Sequence, residues 1–208
     1  MKARPILFNT DMVKAILAGQ KTQTRRGVKS WKDERLPKFV NGAREGSCPF
    51  GQPGDLLYVR ETFAKVPRTA YAQSTGVTQI INPEDEYQAA VFRAGWERCK
   101  PGAWIPSIHM PRWASRLTLE ITDVRVERLH EISEEDARAE GITDGGCLSC
   151  GESEPCGCDS PHPDARDAFI YLWDSIYSNW HANPWVWVVE FKAHHCNVDA
   201  LIREREAA

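Results

Sequence analysis

Apolar residues recur along this chain in short runs whose spacing predicts short strands and short helices. Residues 5–8 form a brief apolar run typical of a strand, and Asn9 or Thr10 can then cap a helix over residues 11–18. One side of that helix is apolar, made of Met12, Val13, Ile16 and Leu17. Gly19 is a natural stop, so the chain opens with a strand, a helix and a turn.

Strand and helix patterns then alternate over the rest of the chain. Strands are predicted at residues 56–61, 87–94, 117–126 and 184–191, and helices at residues 133–141 and 164–177. The apolar face of the strand at residues 117–126 changes parity at Thr122 and Asp123, which predicts a bulge or a tight turn there. The strand at residues 184–191 is almost wholly apolar and is expected to be buried at the centre of the fold. This pattern favours an α+β fold with a β-rich barrel.

Length and composition predict one cytoplasmic domain. A chain of 208 residues suffices for one core and is short for two ordinary domains, so we predict a single domain over residues 1–208. No stretch approaches the roughly 18 to 20 apolar residues of a membrane span, and the amino terminus lacks the layout of a secretory signal. Seven cysteines, an odd number, do not suit a secreted disulfide framework. We therefore expect a cytoplasmic protein without a membrane partner.

The charge distribution argues against a long nucleic acid as partner. With 26 basic and 29 acidic residues the net charge is −3, which would repel a polyanion at long range. Residues 1–38 nevertheless hold ten Lys or Arg against three acidic residues, so a local patch could serve a nucleotide phosphate. The eight Trp are many for this length and must serve the core or a binding wall.

The segment Lys-Thr-Gln-Thr-Arg-Arg at residues 21–26 is the strongest candidate for a catalytic segment. Lys21 and Thr24 would face opposite ways on a regular strand, so they meet only across a bend. A neutral Lys21 could then act as general base toward the Thr24 hydroxyl. That role requires burial, or the neighbouring Arg25 and Arg26, to lower its pKa from an ordinary value of about 10.4. The alternative is a solvated basic turn.

Glu140 is the second unusual position. It lies in the last turn of a predicted helix before Gly141, where a carboxylate faces the negative end of the helix dipole at a cost of about 0.3 to 1 kcal/mol. Such a carboxylate suits a proton donor. The alternative is an exposed, hydrated helix end.

Together these segments resemble the ASCH-domain proteins, in particular the larger forms of phage and prophage genomes. Residues 4–8 and 19–26, with the helix between them, resemble the opening of such proteins. Residues 53–63 (Pro-Gly-Asp-Leu-Leu-Tyr-Val-Arg-Glu-Thr-Phe), 104–116 and 183–192 match the same subgroup. The resemblance implies a PUA-like β-pseudo-barrel with short flanking helices and a cleft for a base or nucleotide.

The resemblance also implies an activity. A small bacterial member of the family removes the acyl group of N4-acetylcytidine with a Lys, a Thr and a Glu, which correspond here to Lys21, Thr24 and Glu140. The implied enzyme is an amidohydrolase for N4-acylated cytosine nucleosides or nucleotides that needs no cofactor. Lys21 would take the proton of Thr24, which attacks the acyl carbonyl or positions a water, and Glu140 would serve the departing nitrogen. The alternative is an RNA-binding module or ribonuclease that holds short RNA in the same cleft.

Several residues are candidates for contacting that substrate. Arg25 or Arg26 could stabilise an oxyanion. The candidate pocket walls are Tyr58, Arg60, Glu61, Trp104, His109 and Trp113. Stacking of an aromatic ring on a base contributes about 1 to 3 kcal/mol. The alternative is that the two Trp cap the core and that His109 is structural.

A cysteine-rich insert at residues 144–163 stands apart from these motifs. It contains Cys147, Cys150, Cys156 and Cys158 among Gly, Ser and Pro, with His162 as a substitute ligand. Four thiolates are the number for a tetrahedral structural zinc site, which leaves no open position for catalysis. The alternative is a cysteine-rich loop without metal.

Overall fold

The computed structural model describes residues 1–28, 48–142, 149–150, 157–158 and 165–207. Its strands are β1 (Ala3–Leu7), β2 (Gln23–Gly27), β3 (Leu56–Arg60), β4 (Phe63–Pro67), β5 (Ile80–Ile81), β6 (Gln88–Phe92), β7 (Thr118–Arg128) and β8 (Trp185–His194). Its helices are α1 (Thr10–Leu17), α2 (Glu134–Ala139), α3 (Ala165–Tyr177) and α4 (Val198–Glu206). No helix in these ranges is long and apolar enough to cross a membrane.

The strands form two sheets, which confirms the α+β class. The larger sheet has the strand order β1-β3-β7-β8-β2, and the smaller has the order β4-β6-β5. β1 and β3 are parallel, whereas β3 with β7, β2 with β8, and both pairs of the smaller sheet are antiparallel. Both orders are open, with edge strands at each end, and the PUA-like β-pseudo-barrel stays a prediction.

The chain divides into two compact units, where the sequence predicts a single domain. Unit 1 contains Met1–Leu17, Pro53–Ile121 and Lys192–Ala208, and unit 2 contains Ala18–Gln52 and Thr122–Phe191. Each unit is therefore assembled from chain segments that are far apart in sequence.

Unit 1 has an apolar core in several clusters. One contains Phe63, Phe92 and Met110, and in another α4 packs on β3 through Leu56, Val198 and Leu201. Asn197 caps α4 and its side-chain amide donates to the carbonyl groups of Arg112, Trp113 and Ser115. Burial of this apolar surface is the main stabilising contribution, and the amide of Asn197 fixes the loop before β7.

Unit 2 is built around β8, as its apolar sequence predicts. Val186 and Val188 are fully buried and pack with Phe169 and Trp173 of α3. Residues of α2 and of the turn after β7 complete this cluster, including Ala137 and Leu129. The core therefore fixes α2 beside β8, and this position determines where the end of α2 lies.

The local patterns predict most of these elements. The side chain of Asn9 accepts a hydrogen bond from the Met12 amide at 2.8 Å and so starts α1, and Gly19 adopts φ +73° after it. β7 runs through Thr122 and Asp123 without a tight turn, and both residues are exposed, which is the predicted change of parity. β2, β4, β5 and α4 were not predicted, because their short sequences lack a clear apolar period.

Candidate functional site

Lys21 and Glu140 meet in unit 2 although 119 positions separate them. Nζ of Lys21 donates to Oε2 of Glu140 at 2.7 Å and to its backbone carbonyl at 2.7 Å. The two residues also form a backbone bridge, and the Thr22 amide donates to the Ala139 carbonyl at 2.8 Å. Both side chains are buried, with 0% and 5% of their surface exposed. The segment after the Gly19 turn is thus held against the end of α2.

The position of Glu140 follows from how α2 begins and ends. Ser133 accepts a hydrogen bond from the Asp136 amide, and the Asp136 carboxylate accepts one from the Ser133 amide, which is a capping box. Gly141 ends the helix with φ +86°. Glu140 is therefore the residue that closes α2, and its side chain is buried and ion-paired where the alternative was a hydrated helix end.

Arg25 is the second cation on the Glu140 carboxylate. Its NH1 lies 3.3 Å from Oε1 of Glu140, its Nε donates to Glu127 at 3.1 Å, and its NH2 lies 3.1 Å from Asp136. Its side chain has no exposed surface. Its guanidinium therefore orients three carboxylates of the protein, and the prediction that it contacts substrate is untested.

A third cation extends the cluster. Arg125 on β7 contacts Glu127 at 3.1 Å and Asp136 at 3.0 Å, and it also bonds to Glu190 on β8. Gln23 donates to the backbone and side chain of Asp136 at 2.8 and 3.0 Å. We call this set the ion cluster; it consists of Lys21, Gln23, Arg25, Arg125, Glu127, Asp136, Glu140 and Glu190.

Burial and charge shift two pKa values in the ion cluster. Burial lowers the pKa of Lys21, and Arg26 and Arg25 lower it further, against the opposing effect of Glu140. Burial alone would raise the pKa of Asp136, but hydrogen bonding from Gln23 and the charge of Arg25 hold it below its ordinary value. The lowered pKa of Lys21 is the direction that a general base requires.

Thr24 lies on the other face of β2. Residues 23–27 pair in continuous register with β8, and Thr24 is opposite Val189. Because side chains alternate along a strand, Thr24 points away from the face on which Gln23 and Arg25 meet their carboxylates. The turn at Gly19 is present, but residues 23–27 are extended, so no bend turns Thr24 toward that face. Thr24 is 1% exposed, and its catalytic role stays a prediction.

The next position, Arg26, is half-buried. Its NH1 lies 3.4 Å from the hydroxyl of Tyr177 on α3. Arg26 therefore lies beside α3.

The other predicted binding residues belong to unit 1. Glu61 is buried and forms a bidentate ion pair with Arg116 at 2.9 and 2.9 Å. Burial raises the pKa of Glu61, and Arg116 opposes this effect. The Arg112 guanidinium lies 5.4 Å from the ring centre of Tyr58, and Arg60 donates to the carbonyl of Ile108. These contacts hold Glu61 and Arg60 to other parts of unit 1.

The aromatic candidates of unit 1 differ in exposure. Trp104 and Trp113 are half-buried and pack against apolar clusters, and their role in binding stays a prediction. His109 is exposed in a short 3₁₀ turn. Trp104 also lies edge-to-face with Trp96 at 5.7 Å, and the Arg93 guanidinium is 5.9 Å from its ring centre.

The predicted zinc ligands are only partly described. Cys147 and Cys156 lie outside the described residues, whereas Cys150 is exposed and Cys158 is half-buried. Within the described ranges, no three His, Cys, Asp or Glu side chains are grouped so as to hold a metal ion. The zinc site therefore stays a prediction.

Sequence reasoning named three of the eight members of the ion cluster as site residues, Lys21, Arg25 and Glu140, and missed the other five. Only Asp136 had a sequence signal, as part of the capping pattern after Ser133. Arg125 and Glu127 stand on one face of β7 as alternating charges, and Glu190 interrupts an apolar run, but neither pattern indicates a partner.

Comparisons of the chain with protein-family models, with curated proteins and with solved structures found no match.

Proposed function

We propose that this protein is an amidohydrolase that removes the acyl group from N4-acylated cytosine nucleosides or nucleotides, within a PUA-like fold. The observation that supports it best is the buried contact between Lys21 and Glu140 at 2.7 Å. Both positions carry catalytic roles in the ASCH resemblance, and they are 119 residues apart. A buried Lys with a lowered pKa beside a carboxylate is a frequent arrangement in catalytic sites.

Lys21 can keep both of its hydrogen bonds to Glu140 when it loses a proton. A neutral amine has two N–H groups, which match the bonds to the carboxylate and to the carbonyl of Glu140. The lowered pKa increases the fraction of neutral amine at a given pH. Lys21 therefore suits the role of general base, and Arg25 holds the Glu140 carboxylate from its other oxygen.

The proposed reaction is hydrolysis of the exocyclic amide. Because Thr24 lies on the opposite face of β2 from Arg25, the contacts favour a water, rather than the Thr24 hydroxyl, as the group that Lys21 deprotonates. The water oxygen forms a bond to the acyl carbon and the carbon–nitrogen bond breaks. Glu140 relays a proton to the departing nitrogen, so the products are a carboxylic acid and the cytosine amine.

The charge of the ion cluster favours this activity over RNA binding at the same place. Its three cations, Lys21, Arg25 and Arg125, face four carboxylates, so its formal charge is −1 with all groups ionised and −2 with Lys21 neutral. A phosphate would be repelled by such a group. An acylated base without a phosphate at that point would not.

The proposal is tested by incubating the protein with N4-acetylcytidine and following the ultraviolet change to cytidine. We expect turnover by the wild type and a loss of at least about 100-fold in kcat for Glu140→Gln, the usual size for a general acid or base. Thr24→Val, which keeps the shape of the side chain, should retain most of the turnover because a water is the attacking group, and a loss as large as that of Glu140→Gln would show that the Thr24 hydroxyl is needed. The matched control is Glu135→Gln on the exposed side of α2, which should retain full activity.

Stability must be measured with the same proteins. A variant that keeps the wild-type far-ultraviolet circular dichroism and is still folded at the assay temperature, as its melting curve shows, but loses turnover supports the proposal. Absence of turnover in the folded wild type, or unchanged kcat in folded Glu140→Gln, would contradict it.

A further inference from the structure

Unit 1 contains a basic cavity whose lining includes no residue of the ion cluster. Its volume is about 580 Å³, and its lining includes Lys14, Arg93, Trp96, Arg98, Lys100 and Trp104. We propose that this cavity binds the phosphate of a nucleotide, with the tryptophan rings beside the base or ribose. The nucleotide could be free or part of single-stranded nucleic acid, since both present the same phosphate and ring.

The charge of the cavity is opposite to that of the whole chain. Four cations line it against one acid, Asp11, so its local formal charge is +3 in a chain of net charge −3. Within the described part of the chain, none of the four cations forms an ion pair with a carboxylate, unlike Arg112 and Arg116 in the same unit. Their charge therefore remains available to an anion.

Two of the lining side chains are held in position by backbone groups. NH2 of Arg98 donates to the Thr75 carbonyl at 2.6 Å, and Nε1 of Trp96 donates to the Cys99 carbonyl at 3.0 Å. The Trp96 amide donates to the Arg93 carbonyl at 3.1 Å across a turn in which Gly95 adopts φ +82°. A positive φ favours glycine, and this turn places Arg93 and Trp96 at the same cavity. Preorganisation of this kind lowers the entropy cost of binding.

The aromatic wall selects for a ring next to the anion. Tyr71, Trp96 and Trp104 form an edge-to-face series with ring centres 5.1 and 5.7 Å apart, packed against the buried strands β4 and β6. The Arg93 guanidinium lies 5.9 Å from the Trp104 ring centre and so joins the cationic part of the wall to its aromatic part. Cations interleaved with aromatic rings are the common means of binding nucleotides and single strands.

The test is a binding measurement on the full chain. Uridine 5′-monophosphate, uridine, inorganic phosphate and hexauridylate are titrated while tryptophan fluorescence and heat are recorded. Uridine compounds have no N4 group, so they cannot serve as substrates of the proposed amidohydrolase, and failure of one proposal leaves the other standing. We expect the monophosphate to bind at least about tenfold more tightly than uridine, because phosphate contacts supply most of the affinity.

A matched pair of double variants locates the binding. Arg93→Gln with Lys100→Gln removes one Arg and one Lys from the cavity, and Lys65→Gln with Arg68→Gln removes the same charges from an exposed surface elsewhere in unit 1. The cavity variant should bind the monophosphate at least about tenfold more weakly, and its salt slope for hexauridylate should fall by about 1.4, at about 0.7 per lost contact. The surface variant should change neither. All four substituted side chains are exposed, so both variants should fold, which melting curves will verify.

The outcomes separate clearly. Tighter binding of hexauridylate than of the monophosphate, lost in the cavity variant, assigns the site to single strands, and equal affinity assigns it to free nucleotides. Equal weakening in the two variants would show a general charge effect and overturn the proposal. The proposal is equally overturned if neither the monophosphate nor hexauridylate binds, or if uridine binds as tightly as its monophosphate.

Discussion

Removal of Lys21 tests the energetics of the ion cluster most directly. Lys21→Met leaves the Glu140 carboxylate buried and removes the amine that donates a hydrogen bond to the Glu140 backbone carbonyl. Breaking a buried pair from one side costs about 3 to 5 kcal/mol, since the remaining charge is uncompensated. Arg25 still lies 3.3 Å from that carboxylate, so we expect the lower end of this range, about 3 kcal/mol. For a chain of this size that corresponds to a melting temperature lower by about 6 to 12 °C.

The partner substitution and the double variant complete a thermodynamic cycle. Glu140→Gln should cost about 1 to 2 kcal/mol, because Lys21 can lose its proton and keep two hydrogen bonds. In Lys21→Met with Glu140→Gln neither ion remains, so the loss should be smaller than the sum of the single losses by at least about 1 kcal/mol. Lys192→Met, an exposed Lys on β8, is the control and should stay within about 0.5 kcal/mol of wild type.

The assay is urea unfolding at neutral pH, followed by tryptophan fluorescence and by far-ultraviolet circular dichroism. Two probes are needed, because the chain has two compact units and a single transition must be demonstrated. Additive losses in the cycle, or a Lys21→Met variant as stable as the control, would refute the reasoning that these two buried charges stabilise each other.

Three further predictions concern acid stability, a second buried ion pair and metal content. The pKa of Asp136 is lowered in the folded state, so its contribution to stability is complete above its unfolded value of 3.8 and is lost as the pH falls through the folded pKa. Asp136→Asn should therefore flatten the decline of the melting temperature between neutral pH and about pH 2. An unchanged decline would contradict this prediction. Arg116→Met leaves the Glu61 carboxylate buried and should lower the free energy of unfolding by about 3 to 5 kcal/mol in urea, whereas a loss below 1 kcal/mol would mean that Glu61 is neutral in the fold. Metal analysis of protein purified without added metal should find about one zinc per chain, and Cys150→Ser with Cys158→Ser should abolish it while Cys99→Ser should not; a ratio near zero in wild type removes the zinc site.

The sequence predicts the elements whose pattern is local. The apolar side of α1 and the apolar run of β8 each need only their own residues to be recognised, because burial of one face requires that spacing. The Ser133 cap and the Gly141 stop also need only their own neighbours to be recognised, and they place Glu140 at the end of α2. β2 was not predicted, because its charged residue Arg25 is buried with carboxylate partners that the sequence of β2 does not reveal.

The sequence by itself determined which positions have reactive side chains and where α1, α2 and α3 lie. Only the tertiary structure decided which of them meet: it brings Lys21 to Glu140, gives Arg25 three carboxylates, and points Thr24 away from that face of β2. It also gathers Lys14 into one cavity with the cations of residues 93–100. The physical reason is that a side chain's direction follows from strand alternation and helix phase, whereas its partner follows from long-range packing, which cooperates over the whole chain.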